Sequence, residues 1–139
     1  MKKILSISLV LVMLLTCFVG CSKKAEATGL WQNATYIEDK SFGNGSKTIK
    51  VEVKAEEKSV TFTIKTDKET VGAALLEHSL IAGDEGDYGL YVKKVNGIVA
   101  DYDVDKSYWG FYINAEYAMT GVDQTTIDES AAYKLEYTK

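Results

Sequence analysis

The stretch Ser107–Gly121, SYWGFYINAEYAMTG, constrains the fold more than any other part of the chain. It carries three of the nine tyrosines and one of the two tryptophans. Side chains alternate across a β-strand, so Trp109, Phe111 and Ile113 fall on one face and Tyr108, Gly110 and Tyr112 on the other. The first face is wholly apolar and requires a core. The second is phenolic and suits water or a ligand. Asn114-Ala115 interrupts the run, and Glu116–Met119 is placed to return as a partner strand. A chain with this segment is a sheet protein with one wet face.

The remaining strands carry the same alternation. In Thr48–Lys54, Ile49, Val51 and Val53 alternate with polar residues, and in Ser59–Lys65 so do Val60, Phe62 and Ile64. The short charged link Ala55–Lys58 makes them a hairpin. Leu90–Val95 and Ile98–Val104 flank Asn96-Gly97, whose two residues suit the positive φ angles of a type I′ turn. Tyr133, Leu135 and Tyr137 share a face of the closing segment Tyr133–Thr138. The period changes after Thr66. Thr66 and Glu69 fit a capping box, with Thr70 as a second candidate cap. Val71, Ala74, Leu75 and His78 lie at helical spacing, with Leu76 and Leu80 beside them, which predicts a helix from Glu69 to Leu80. Gly72 costs that helix about 1 kcal/mol and is tolerable where it lets the helix lie close to the sheet. Ile81–Gly89 reads as a loop, Val122–Ala131 as a polar connection, and Leu30–Phe42 as an irregular segment or an edge strand. One short helix covers one side of a sheet. The expected class is therefore α+β, a β-grasp-like mixed sheet with one main helix packed on one face.

The amino terminus concerns location. Lys2 and Lys3 precede an apolar run of 16 residues, Ile4–Val19, shorter than the roughly 20 that cross a bilayer as a helix. This is the pattern of a secretory signal. Phe18-Val19-Gly20-Cys21 resembles the lipobox of bacterial lipoproteins, with Phe18 where that motif usually has leucine. The resemblance implies cleavage before Cys21 and a diacylglyceryl group on its sulfur. Cys17 would leave with the signal, so the mature chain has neither a free thiol nor a disulfide. The expectation is a domain anchored by lipid to the extracytoplasmic face of the bacterial cell membrane. Its 14 lysines face 20 acids, a net charge near −6, which argues against a nucleic-acid partner.

The chemistry-bearing residues are few. His78 is the sole histidine, so a metal site has to be completed by carboxylates. Asp101, Asp103 and Asp105 invite a calcium reading, but an EF-hand loop then needs glycine and glutamate where Lys106 and Tyr112 stand. Their spacing of two reads instead as the solvent face of a strand. There is no Gly-x-Ser-x-Gly elbow. Tyr108, Tyr112 and Tyr117, with Tyr88, Tyr91 and Tyr102 nearby in sequence, suit either an aromatic platform for a ligand or cross-strand pairing that stabilises the sheet.

A family likeness rests on Glu69-Thr70-Val71, Val95-Asn96-Gly97, Tyr108–Asn114, Met119–Val122 and Tyr133–Tyr137. Together these resemble a bacterial domain family related to the carboxy-terminal β domain of transcobalamin and intrinsic factor. The resemblance implies a β-grasp-like domain that binds soluble ligands, cobalamin in the animal carriers. That family usually has glycine where Ala115 stands. The expected organisation is a signal at 1–20, a lipidated tether at 21–29, an irregular or edge-strand segment at 30–47, and the β-grasp domain at 48–139. The expected function is binding rather than catalysis: capture of a small soluble ligand, with a transporter or surface protein as partner. The alternative is a protein-interaction module, and an uncharacterised hydrolase comes third. The candidate contacts are Tyr108, Tyr112, Asn114 and Tyr117, with Asn96 and Gly97 shaping a neighbouring loop. No cofactor is expected.

Overall fold

Alternating valines and isoleucines build the centre of the sheet. In the computed structural model, which describes residues 27–139, β2 (Lys47–Ala55) and β3 (Lys58–Thr66) pair as an antiparallel hairpin through Glu56-Glu57. β1 (Lys40–Gly43) adds to β3 in parallel at the edge of the sheet. On the other side β9 (Ala132–Thr138) runs parallel to β2, and β7 (Tyr108–Ile113) and β8 (Glu116–Tyr117) follow it. The resulting order is β1-β3-β2-β9-β7-β8. The register places Val51 between Phe62 and Tyr133, and Val53 between Val60 and Leu135, with Phe111 beyond Leu135. All of these are buried on one face.

That face is covered by α1 (Val71–Glu77) and by a three-stranded sheet, β4-β5-β6, of Ile81–Gly86, Gly89–Val95 and Ile98–Val99. Val71, Ala74 and Leu75 from the helix, and Val95 and Ile98 from the small sheet, join the same core. The class is the expected one, a mixed α+β fold with one main helix over one face of the sheet. The signal, Cys21 and most of the tether lie outside the described residues.

The helix is shorter than its periodicity predicts. Thr70, not Thr66, caps it, accepting from Ala73 N at 3.2 Å. Thr66 is the last residue of β3, buried, with its hydroxyl donating to Glu77. At the other end Ser79 takes φ 55. Ser79 N and Leu80 N donate back to the carbonyls of Leu76 and Leu75. This is the Schellman arrangement, and it turns Leu80 into the core instead of extending the helix. Gly72 does permit a close approach, but to the connection rather than the sheet: a Cβ there would lie 2.7 Å from the Asp123 backbone. That connection, with a 3₁₀ turn at Val122–Gln124, is pinned to the helix start by Val71 N donating to Thr125 O.

Two further segments differ from expectation. Ile81–Gly86 is a strand, although its glycines and acids read as a loop; backbone pairing with β5, including a bulge at Ala82/Gly83, outweighs weak strand propensity at an exposed edge. The strand expected over Ile98–Val104 stops at Val99. Asp101 then caps a single helical turn, Tyr102–Asp105, by accepting from Asp103 N. The three aspartates thus surround a turn rather than lining a strand face.

Segment 30–47 is held by two side chains. Trp31 is 2% exposed and its indole N–H donates to Ala55 O at 2.8 Å. Asn96, 1% exposed, accepts from Tyr36 N at 2.9 Å and donates to Tyr36 O at 2.8 Å, while its own carbonyl accepts from Thr35 N. Asn96 acts as one more strand residue for the incoming chain. Asn96→Ala is expected to cost about 1–3 kcal/mol and to speed amide exchange across 34–43; unchanged exchange there would refute the clamp. The β7–β8 turn has φ 52 at Asn114 and 67 at Ala115, the type I′ geometry in which a Cβ is strained. Ala115→Gly is expected to add about 1 kcal/mol of stability, measurable by urea unfolding.

Candidate functional site

The reverse of the six-stranded sheet is where the predicted contacts gather. Trp109 is 7% exposed and faces the core, its indole N–H donating to Ile98 O at 3.1 Å. Alternation therefore turns Tyr108, Gly110 and Tyr112 outward. Along this outer face one row of directly paired residues reads Thr61, Glu52, Lys134, Tyr112, Tyr117. Tyr112 and Tyr117 meet edge to face, centroids 5.5 Å apart at 89°. Lys134 Nζ lies 4.5 Å from the Tyr112 ring centre and 2.6 Å from Glu136 Oε2. The hydrogen bond that Lys134 donates to the Glu136 carboxylate is the main cause that holds its ammonium above the ordinary lysine range, opposed by partial burial.

Gly110 explains how the ring settles. A Cβ on Gly110 would stand 3.1 Å from Tyr112 Cε2. The tyrosine thus lies back over the bare glycine, the way an aromatic side chain covers a strand glycine. Tyr112 is half-buried in consequence, while Tyr117, at the sheet edge, is 61% exposed. Tyr108, half-buried, pairs with Thr138 on the far side of Gly110. The result combines both readings of the tyrosines. Tyr112 and Tyr117 are a cross-strand pair, and they also present aromatic surface beside a cation and a carboxylate.

The other predicted contacts are placed differently. Asn114 spends its side chain on the start of β9, accepting from Ala132 N at 2.9 Å. Asn96 and Gly97 lie on the inner side of the main sheet, under residues 33–36. A Cβ at Gly97 would stand 2.5 Å from Asn33 O. Both amide atoms of Asn96 are committed to Tyr36, so this turn shapes the clamp and not a loop beside the tyrosines. Tyr88, Tyr91 and Tyr102 are exposed on other elements. Lys134, Glu136 and Glu52 are the members that sequence reading missed. Their signal was the polar half of the alternation in β9 and β2, but which strand borders β7 decides the row.

No group of three or more histidine, cysteine, aspartate or glutamate side chains converges among the described residues in a way that would hold a metal ion. His78 packs against Phe42, ring centres 5.3 Å apart, with Nε2 3.8 Å from Glu77 Oε2. Three surface depressions among the described residues, of about 260–400 Å³, are lined by residues other than Tyr108, Tyr112 and Tyr117: one by Trp31 and Glu56–Lys58, one by Thr35–Lys40, and one by Asp39–Ser41 with Lys50, Thr61 and Thr63. Among the described residues no helix is long and apolar enough to cross a membrane.

Comparison with known proteins agrees with this architecture. No curated protein matches the chain. Among solved structures, a protein of Ruminococcus gnavus ATCC 29149, provisionally described as metal-binding, is 28% identical with a TM-score of 0.64; the match covers 68% of this chain and 98% of that one. Haptocorrin in complex with Cbi matches at 15% identity and a TM-score of 0.54, over 70% of this chain and 26% of its own, a likeness of fold. The family described as "Domain of unknown function (DUF4430)" matches residues 68–139, from just before the helix to the end of β9. This chain belongs to the DUF4430 family.

Proposed function

We propose that the protein is a binding domain held at the extracytoplasmic face of a bacterial membrane by lipid on Cys21, with the phenolic side of its sheet as the binding surface. The observation that carries this reading is the Tyr112–Tyr117 pair set beside Lys134 and Glu136. Aromatic rings supply a stacking surface of low conformational cost, and the flanking ammonium and carboxylate supply directional polar contacts. This is equipment for holding a ligand. The aromatic and charged groups gathered on this face favour binding over catalysis.

A small soluble ligand is the first reading. Two of the solved structures it resembles are described, the first provisionally, as a metal-binding protein and as a complex with Cbi. Among the described residues no set of donor side chains converges, so the geometry here lends a metal no support. A corrinoid is supported by likeness of fold alone. The phenolic face is open, so a ligand lying on it would be covered from one side. Haptocorrin is several times longer than the matched region, and a second surface, from a transporter or another surface protein, would here complete the enclosure. The openness also favours the second reading, direct docking of a protein partner against the tyrosines and the short edge strand β8.

The test is mass spectrometry of the lipoprotein purified from its native membrane, comparing the parent with Tyr112→Ala and Lys134→Ala. Both variants are expected to keep the fold by circular dichroism and to bind the co-purified species about tenfold more weakly, a difference of about 1.4 kcal/mol. A species retained equally by both variants would place the binding surface elsewhere. A protein rather than a small molecule in the retained fraction would select the docking reading.

A further inference from the structure

The point at which the chain enters the domain sets how the domain stands on a membrane. Ala27 and Thr28 lie beside Trp31 and Glu56–Lys58. Leu30 N donates to Glu56 Oε2 at 3.4 Å, the Trp31 indole is fixed to Ala55 O, and Lys58 Nζ sits 5.1 Å over that indole. The chain therefore arrives at the β2–β3 turn, at one end of the strands. Strand register assigns the other elements to ends. β9 runs parallel to β2 and finishes at this end, and β7 starts here, opposite Thr138. The helical turn Tyr102–Asp105 precedes it, tied to Lys139 by an ion pair of 3.6 Å. Asn44–Ser46, Thr66 and the helix start at Thr70 belong to the opposite end.

Cys21 is separated from Ala27 by five residues, and a chain of that length reaches about 20 Å when fully extended. We propose that the β2–β3 turn end faces the bilayer, within about 20 Å of it, so that the strands rise away from the membrane. The Asn44–Ser46 end then stands about 30 Å farther out, the length of the nine-residue strands β2 and β3. The phenolic face looks sideways, along the plane of the membrane. Its natural partner is then another protein held at the same membrane. Glu56, Glu57, Asp101, Asp103 and Asp105 at this end outnumber Lys54, Lys58, Lys106 and Lys139, so the lipid tether, and not attraction to anionic headgroups, is what holds this end to the membrane. This inference rests on the lipid anchor of the proposed function.

The experiment uses the full lipoprotein. With Cys21 acylated, single Glu57→Cys and Asn44→Cys substitutions each provide one thiol for a donor dye. The labelled proteins are placed in phosphatidylcholine–phosphatidylglycerol vesicles containing an acceptor lipid. The height difference of about 30 Å predicts energy transfer at least about twofold greater from position 57 than from position 44. Equal or reversed transfer that disappears in a Cys21→Ser background overturns the orientation and leaves the anchor standing. Transfer that is absent, or unaffected by Cys21→Ser, overturns the anchor and the orientation together.

Discussion

The parallel ladder between β2 and β9 holds the two halves of the chain in one fold. It sets Val51 against Tyr133 and Val53 against Leu135 across more than 80 residues of sequence. Without it the amino-terminal hairpin and the carboxy-terminal strands would each have one open edge and half an apolar face. Parallel strands cannot be joined by a tight turn, so the segments 67–107 and 118–131 cross over one face of the sheet, and their apolar sides must come down on it. That is why Leu75, Val95, Ile98 and Val122 share a core with Ile49 and Phe62. The family match at 68–139 begins after β3, yet β2, one of the two strands that flank β9, lies outside it. In this chain, residues 27–67 complete the sheet that the family region alone leaves open.

The same ladder creates the candidate site. Pairing β9 with β7 brings Lys134 over Tyr112, and pairing β9 with β2 brings Glu52 to the other side of Lys134. A row of side chains from five strands arises from register alone. Gly110 adds the space into which Tyr112 settles. An aromatic ring held by a glycine beneath it, a lysine on its face and a tyrosine at its edge has lost most of its rotamer freedom before any ligand arrives. Such preorganisation lowers the entropic cost of binding.

Strict period-two alternation made several elements legible. The β2–β3 hairpin, the inward indole of Trp109 and the outward phenols of Tyr108 and Tyr112 all follow from it. The Asn96-Gly97 and Asn114-Ala115 turns were legible because positive φ is a local demand, met or strained by the residues themselves. The helix was legible as a helix but not in length, since its end depends on Ser79 turning left-handed to deliver Leu80 to the core. Ile81–Gly86 was hidden because its glycines and acids carry no strand signal; its neighbour β5 supplies one. The hold of Asn96 on the incoming chain was hidden as well, its partner Tyr36 being 60 residues away.

What the sequence determined by itself is which face of each strand is apolar and where the backbone must turn, because both are set by residues within a few positions of one another. Only the tertiary structure decided which strands are neighbours, and hence that Lys134 and Glu136 accompany the tyrosines while Asn96 holds the incoming chain. Neighbour choice is a property of the whole buried surface. It follows from the one arrangement in which every apolar face is covered and every interior backbone group is paired.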